Sequence, residues 1–147
     1  MYSKEEAQKI KREFWIKFAE EYPRKWLLYN TKIKDFTFKF HVDNKKAMVS
    51  LDIESKDDDL RNIYFEKIES LKTILIEEYL EDVIFEKNYQ LENGKTISRI
   101  WVETHGISVN NKATWKTIFD FFSQKMEAFE CFFYEYQEYI SDLEINT

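Results

Sequence analysis

The sequence predicts an α+β domain in the order helix, antiparallel hairpin, helix, antiparallel hairpin, long C-terminal helix. Three observations carry that expectation. Apolar residues recur at three- and four-residue steps in three windows, they alternate with period two on either side of two polar turns, and only two Gly and one Pro interrupt the 147 residues. A chain of this length with no flexible linker reads as one domain over residues 1–147, long enough to bury a sizeable core.

Ser3 and Glu6 have the spacing of a capping box, in which hydroxyl and carboxylate satisfy each other's free amides at a helix start. Ala7, Ile10, Phe14, Phe18 and Tyr22 then form one apolar stripe that stops at Pro23, so the first helix is expected from about residue 4 to 22. Trp26-Leu27-Leu28-Tyr29 reads as a short strand or a packed loop. Phe36, Phe38, Phe40 and Val42 alternate with Thr37, Lys39 and His41, and beyond Asp43-Asn44-Lys45-Lys46 the alternation resumes with Ala47, Val49, Leu51 and Ile53. A tight hairpin pairs Val42 with Ala47, Phe40 with Val49, Phe38 with Leu51 and Phe36 with Ile53, and a one-residue slip would scramble its faces.

Asp57, Asp58 and Asp59 suit the positive start of a second helix. Leu60, Tyr64, Ile68, Leu71 and Leu75 give it a stripe that ends near Leu80. Asn93-Gly94 is the strongest two-residue turn signal, with strands expected at about 83–91 and 96–104. That turn would set Val102 against Phe85, Ile100 against Lys87 and Ser98 against Tyr89 on the core side. It would set Glu103 against Ile84, Trp101 against Glu86 and Arg99 against Asn88 on the other. A short strand is expected at Ile107-Ser108-Val109. From about 113 to 142, Trp115, Phe119, Phe122, Met126, Phe129, Phe133, Tyr136 and Ile140 step by four and three, which is a heptad seam.

The net charge of −6 weighs against non-specific nucleic-acid binding. The charge is uneven: residues 1–50 carry 12 bases and 7 acids, net +5, whereas residues 51–147 carry 10 and 21, net −11. Cys131 is the only cysteine, so neither an intramolecular disulfide nor a multi-thiolate zinc site is expected. The N-terminus is charged and lacks an apolar stretch of signal-peptide length, and no run of about 18 apolar residues occurs, which favours a cytoplasmic protein without membrane contact.

Glycine only at positions 94 and 106 removes the phosphate-loop fingerprints, and no cofactor is expected. His41 and His105 lie far apart and read as surface residues; no metal ligands and no catalytic residues are assigned. Asp52 with Glu54-Ser55-Lys56 has the acid, acid and lysine of a magnesium-dependent nuclease strand. With 28 acids and 18 lysines, that spacing arises readily by chance. Two better candidates remain. On the outer side of the second hairpin, Glu86, Asn88, Arg99, Trp101 and Glu103 could bind a polar ligand or peptide, with Arg99 as anchor and more important for binding than for stability. On the last helix, Phe129, Phe132, Phe133, Tyr136 and Tyr139 widen the seam into a candidate interface for a protein partner or a second copy.

The blocks YSKEEAQKIKREFW (2–15), DNKKA (43–47), IYFEKIESLK (63–72) and FEKNYQLENGKTISRIWVE (85–103) fall in an order and spacing that resemble a bacterial family known as domain of unknown function 4268. The resemblance covers nearly the whole chain and brings no catalytic residues with it. Some members look like C-terminal companions of nuclease-like or other DNA-associated modules, which implies a role in nucleic-acid defence or maintenance. The residues themselves favour a non-enzymatic binding or assembly module, acting through the aromatic helix or the charged hairpin face. The alternative is a nucleic-acid-processing enzyme or an accessory subunit of a nuclease or defence system.

Overall fold

The computed structural model describes residues 3–143. Its elements are α1 (Lys4–Glu21), β1 (Phe36–Val42), β2 (Lys46–Ile53), α2 (Asp58–Ser70), α3 (Lys72–Glu78), β3 (Ile84–Gln90), β4 (Thr96–His105) and α4 (Trp115–Ser141). A single 3₁₀ turn at Lys112–Thr114 leads into α4. The class is α+β, with four helices and one four-stranded antiparallel sheet among the described residues.

The two hairpins join: the sheet order is β1-β2-β4-β3, with β2 and β4 as antiparallel central strands. The first hairpin has the expected register, Phe36 opposite Ile53 through to Val42 opposite Ala47. One face carries Phe36, Phe38, Val49, Leu51, Ile100 and Val102, and α1, α2 and α4 pack against that face. Ser3 caps α1 as the expected box, and Asp57 caps α2 by accepting from the amides of Asp59 and Leu60.

The expected second helix is two. Ser70 Oγ donates to the Lys67 carbonyl (2.6 Å), a local bond that competes with the helical ladder, and Leu71 leaves helical geometry before α3 resumes. Trp26–Tyr29 is loop, not strand. Ile107 and Val109 are buried, but form no strand; Val109 N–H donates instead to the Asp43 carbonyl at the first turn (3.0 Å).

The largest revision concerns α4. Phe129, Phe132 and Phe133, expected at an interface, lie in the core, and Tyr136 and Tyr139 are half-buried against it. Phe129 and Phe133 meet Phe38 of the sheet at 5.5 and 5.8 Å between ring centres, while Phe132 meets Tyr79 at 5.6 Å. Helix α4 therefore buries a stripe broader than a coiled-coil seam, because the sheet occupies one side and the segment after α2 the other. The end of the helix is held rather than overhanging: buried Lys67 donates to the carbonyls of Tyr139 (2.9 Å) and Asp142, and Tyr139 Oη bonds Ser70 Oγ (2.8 Å).

Truncating a fully buried ring leaves a void its neighbours fill only partly. Phe132→Ala is expected to lower stability by about 3–5 kcal/mol in urea unfolding. If Phe132 served an interface instead, the variant would keep its stability and lose only self-association.

Candidate functional site

The second hairpin departs from its expected register in two steps. Gly94 N–H donates to the Leu91 carbonyl and Leu91 N–H to the Lys95 carbonyl, so the loop spans residues 92–94, with Gly94 in the left-handed region at φ +86°. This three-residue loop replaces the two-residue turn and sets Tyr89 opposite Ile97. An irregularity between Glu86 and Tyr89 adds another offset, so Arg99 pairs with Glu86, Trp101 with Ile84 and Ile100 with Phe85.

The consequence is a different set of neighbours. Tyr89 joins the sheet face that carries Arg99 and Trp101, whereas Asn88 turns its Oδ1 to the buried Arg61 of α2. Arg61 also donates to the Lys87 carbonyl (2.6 Å) and to Ser98 Oγ (2.9 Å). Asn88 therefore belongs with the structural bonds on the helix side, apart from the rest of the expected set. Glu86 is exposed and Glu103 half-buried.

Among the described residues no helix packs on the sheet face opposite the core, yet Asp52 is 0% exposed, Arg99 5% and Trp101 7%. The two edge strands explain this burial. Lys39 and His41 of β1, with Glu54, line one hollow of about 530 Å³ together with Tyr89–Asn93 of the β3 end and Arg99 of β4, so side chains from both edges of the sheet border it. At its floor the Arg99 guanidinium grips Asp52 with two bonds of 2.8 Å, Nε to one oxygen and an Nη to the other. Tyr89 lies over that guanidinium at 4.4 Å and meets Trp101 edge-on at 5.4 Å. Lys39 bridges Glu54 (3.1 Å) and Asp52 (3.6 Å). The Trp101 indole N–H donates to Glu103 (2.6 Å), which also meets His105 (2.6 Å) and Lys46 (3.8 Å).

These contacts set the electrostatics. Burial alone would lower the Arg99 pKa, but the bonds and the charge of Asp52 outweigh it and raise it. The hydrogen bond from Trp101 holds the Glu103 carboxyl below its usual range, helped by His105 and Lys46 against partial burial. His41, expected at the surface, lies half-buried with Nε2 2.9 Å from Ser50 Oγ. Burial pushes its pKa down to about 4; Arg99, Lys39 and Lys46 add to that effect, and Asp52 opposes it. His41 is therefore neutral at pH 7.

The Ser50–His41 pair resembles part of a nucleophile and base, but Ser50 is fully buried and Asp52 is committed to Arg99. The acid, acid and lysine pattern does not converge either: Asp52 serves Arg99, Glu54 serves Lys39, and Lys56 is exposed beyond β2. Among the described residues no three of His, Cys, Asp and Glu come together as metal ligands. The reading of the second hairpin alone missed Lys39, His41, Ser50, Asp52 and Tyr89 as neighbours of Arg99. Period-two alternation already put the first four on the outer side of the first hairpin, and only the β2–β4 pairing brings that side to Arg99.

Removing one partner of a buried ion pair strands the other charge, so Arg99→Met is expected to cost about 3–5 kcal/mol in urea unfolding. The double variant with Asp52→Asn should lose less than the sum of the singles. This expectation reverses the sequence-based one, in which Arg99 mattered less to stability. The unfolded chain takes up a proton on His41 near pH 6.5, which the folded chain refuses until about pH 4. Stability is thus complete above pH 6.5 and falls between 6.5 and 4, by about 1–3 kcal/mol through this group. Unfolding curves at pH 7 and 4.5 should show that loss in the wild type and a smaller one in His41→Gln.

A search of curated proteins and a search of solved structures each gave no match. Among protein families, the model described as "Domain of unknown function (DUF4268)" matches residues 10–137, a span that includes β1 to β4 and α4 as far as Gln137. The chain thus belongs to the DUF4268 family, as its sequence blocks suggested.

Proposed function

We propose that this chain is a non-enzymatic binding module that takes a polar ligand or peptide segment on the outer face of its sheet. The observation that carries this reading is the burial of Arg99, Trp101 and Asp52 on a face that no described helix covers, where Arg99 lines a polar hollow bordered by β1 and the β3 end. Arg99 and Asp52 neutralise each other at the floor, so the ligand meets a fixed dipolar surface rather than a bare charge. Lys39, Glu54 and His41 supply donors and acceptors along one wall, and Tyr89 an aromatic ring along the other. At the floor each ionised side chain is already paired, which favours recognition over proton transfer there. The burial of Phe129, Phe132 and Phe133 leaves those rings occupied within the domain, which supports this face over α4 for the binding role.

A test is a fragment and peptide screen by ¹H–¹⁵N correlation NMR, with the Trp101 indole N–H as reporter. Ligands are expected to shift the signals of Trp101, Tyr89, Lys39 and His41, and Tyr89→Ala should weaken them at least about fivefold, as for loss of an aromatic wall. Hits confined to other surfaces, or chemical turnover of a hit, would sink the reading.

A further inference from the structure

Between α1 and β1, residues 24–34 read RKWLLYNTKIK: four cations and no carboxylate, in a chain of net charge −6. This strap is pinned. Leu27 N–H donates to the buried Glu130 carboxylate (2.6 Å), Phe38 N–H to the Leu28 carbonyl (3.0 Å), and Thr31 Oγ1 to the Phe36 carbonyl (2.7 Å). Leu28, Lys32 and Asp35 hold φ at +46°, +65° and +60°, a region side chains rarely adopt and that persists where surrounding contacts enforce it. The strap thus presents its outward side chains on a fixed frame.

Together with α4 that outward side forms a hollow of about 540 Å³, whose lining includes Lys25, Lys32, Asn30, Tyr29 and Tyr134 and has no carboxylate. Glu130 behind it is buried and paired with Arg24, so its charge is already met. Tyr29 and Tyr134 are 74% and 59% exposed. Trp26, which also lines the hollow, has its ring taken by the Arg24 guanidinium at 3.9 Å and by Phe18 stacked at 6.1 Å. Flat stacking surface therefore comes from the two tyrosines.

We propose that this hollow binds a nucleotide unit, its phosphate held by Lys25 and Lys32 and its base laid against Tyr29 or Tyr134. The lysines call for an anion, the exposed rings beside them call for a flat group on that anion, and the volume lies within the roughly 300–1,000 Å³ usual for small ligands. A bare phosphate leaves the rings unused. A second hollow, of about 580 Å³, shares Tyr29 and is lined by Trp15, Leu28 and Phe40 and, toward the outer sheet face, by Lys39, His41 and Glu54, so a strand has room to continue until it meets that carboxylate. Free nucleotide and single-stranded nucleic acid offer the same chemistry, and the test separates them.

The experiment is fluorescence anisotropy at low salt with a labelled oligothymidylate of about 12 nucleotides, and with AMP as competitor. The paired charge reversal Lys25→Glu with Lys32→Glu is expected to weaken binding at least about tenfold, and Tyr29→Ala or Tyr134→Ala at least about fivefold. These side chains are exposed, so melting temperatures should stay unchanged, and a duplex should bind more weakly than the strand. Tight strand binding with weak AMP competition identifies single strands as the ligand; equal binding per unit identifies the free nucleotide. Absence of binding to both probes, binding that survives the variants, or equal competition by polyglutamate overturns the proposal. No variant lies on the outer sheet face, so these outcomes leave the other binding site to its own test.

Discussion

The broad aromatic stripe of α4 is the constraint from which the rest of the domain follows. Phe119 and Phe122 meet Phe14 and Phe18 of α1, whereas Phe129 and Phe133 meet Phe38 of the sheet. Phe132 reaches in the opposite direction, to Tyr79 beyond α3. Ring pairs of this kind prefer edge-on and tilted contacts, so each fixes an angle as well as a distance. A helix gripped on several sides at once sets where the other helices lie, and all of them are drawn to one face of the sheet.

That one-sided arrangement leaves the second sheet face without a helical lid. Its central strands nevertheless bury Ser50, Asp52, Arg99 and Trp101, because the side chains of Lys39, Tyr89 and Glu103 lie against them. Polar groups removed from water are tolerable only when paired, and the network satisfies this demand with a bidentate ion pair, one lysine that bridges Asp52 and Glu54, a Lys46–Glu103 pair and an indole–carboxylate bond. The offsets in the second hairpin matter here: they carry Tyr89 over Arg99 and send Asn88 to Arg61. A regular ladder would have left the guanidinium uncovered and Tyr89 facing the helices.

The same economy of pairing appears on the helix side. Arg61 and Lys67 are charged residues within the stripe of α2, yet both are buried, one spanning to β3 and β4 and the other collecting the last carbonyls of α4. Long stems let such side chains lie along apolar surface while the charged head finds backbone acceptors. The basic strap before β1 differs, since Lys25 and Lys32 face outward beside exposed rings.

The sequence by itself determined the α+β class, the capping of α1, and the whole register of the first hairpin, because local chemistry decides these: hydroxyls at helix starts, and strict alternation that permits only one pairing of faces. It also named Arg99, Trp101 and Glu103 as members of one face. Tertiary structure alone decided that the two hairpins form a single sheet, since strand pairing between distant segments leaves no periodic mark. That pairing brought Asp52, Lys39 and His41 to Arg99, and turned an expected exposed ion pair into a buried one. It likewise decided the role of Phe129, Phe132 and Phe133, because a heptad step records that a helix face is apolar but not whether the sheet or another chain covers it.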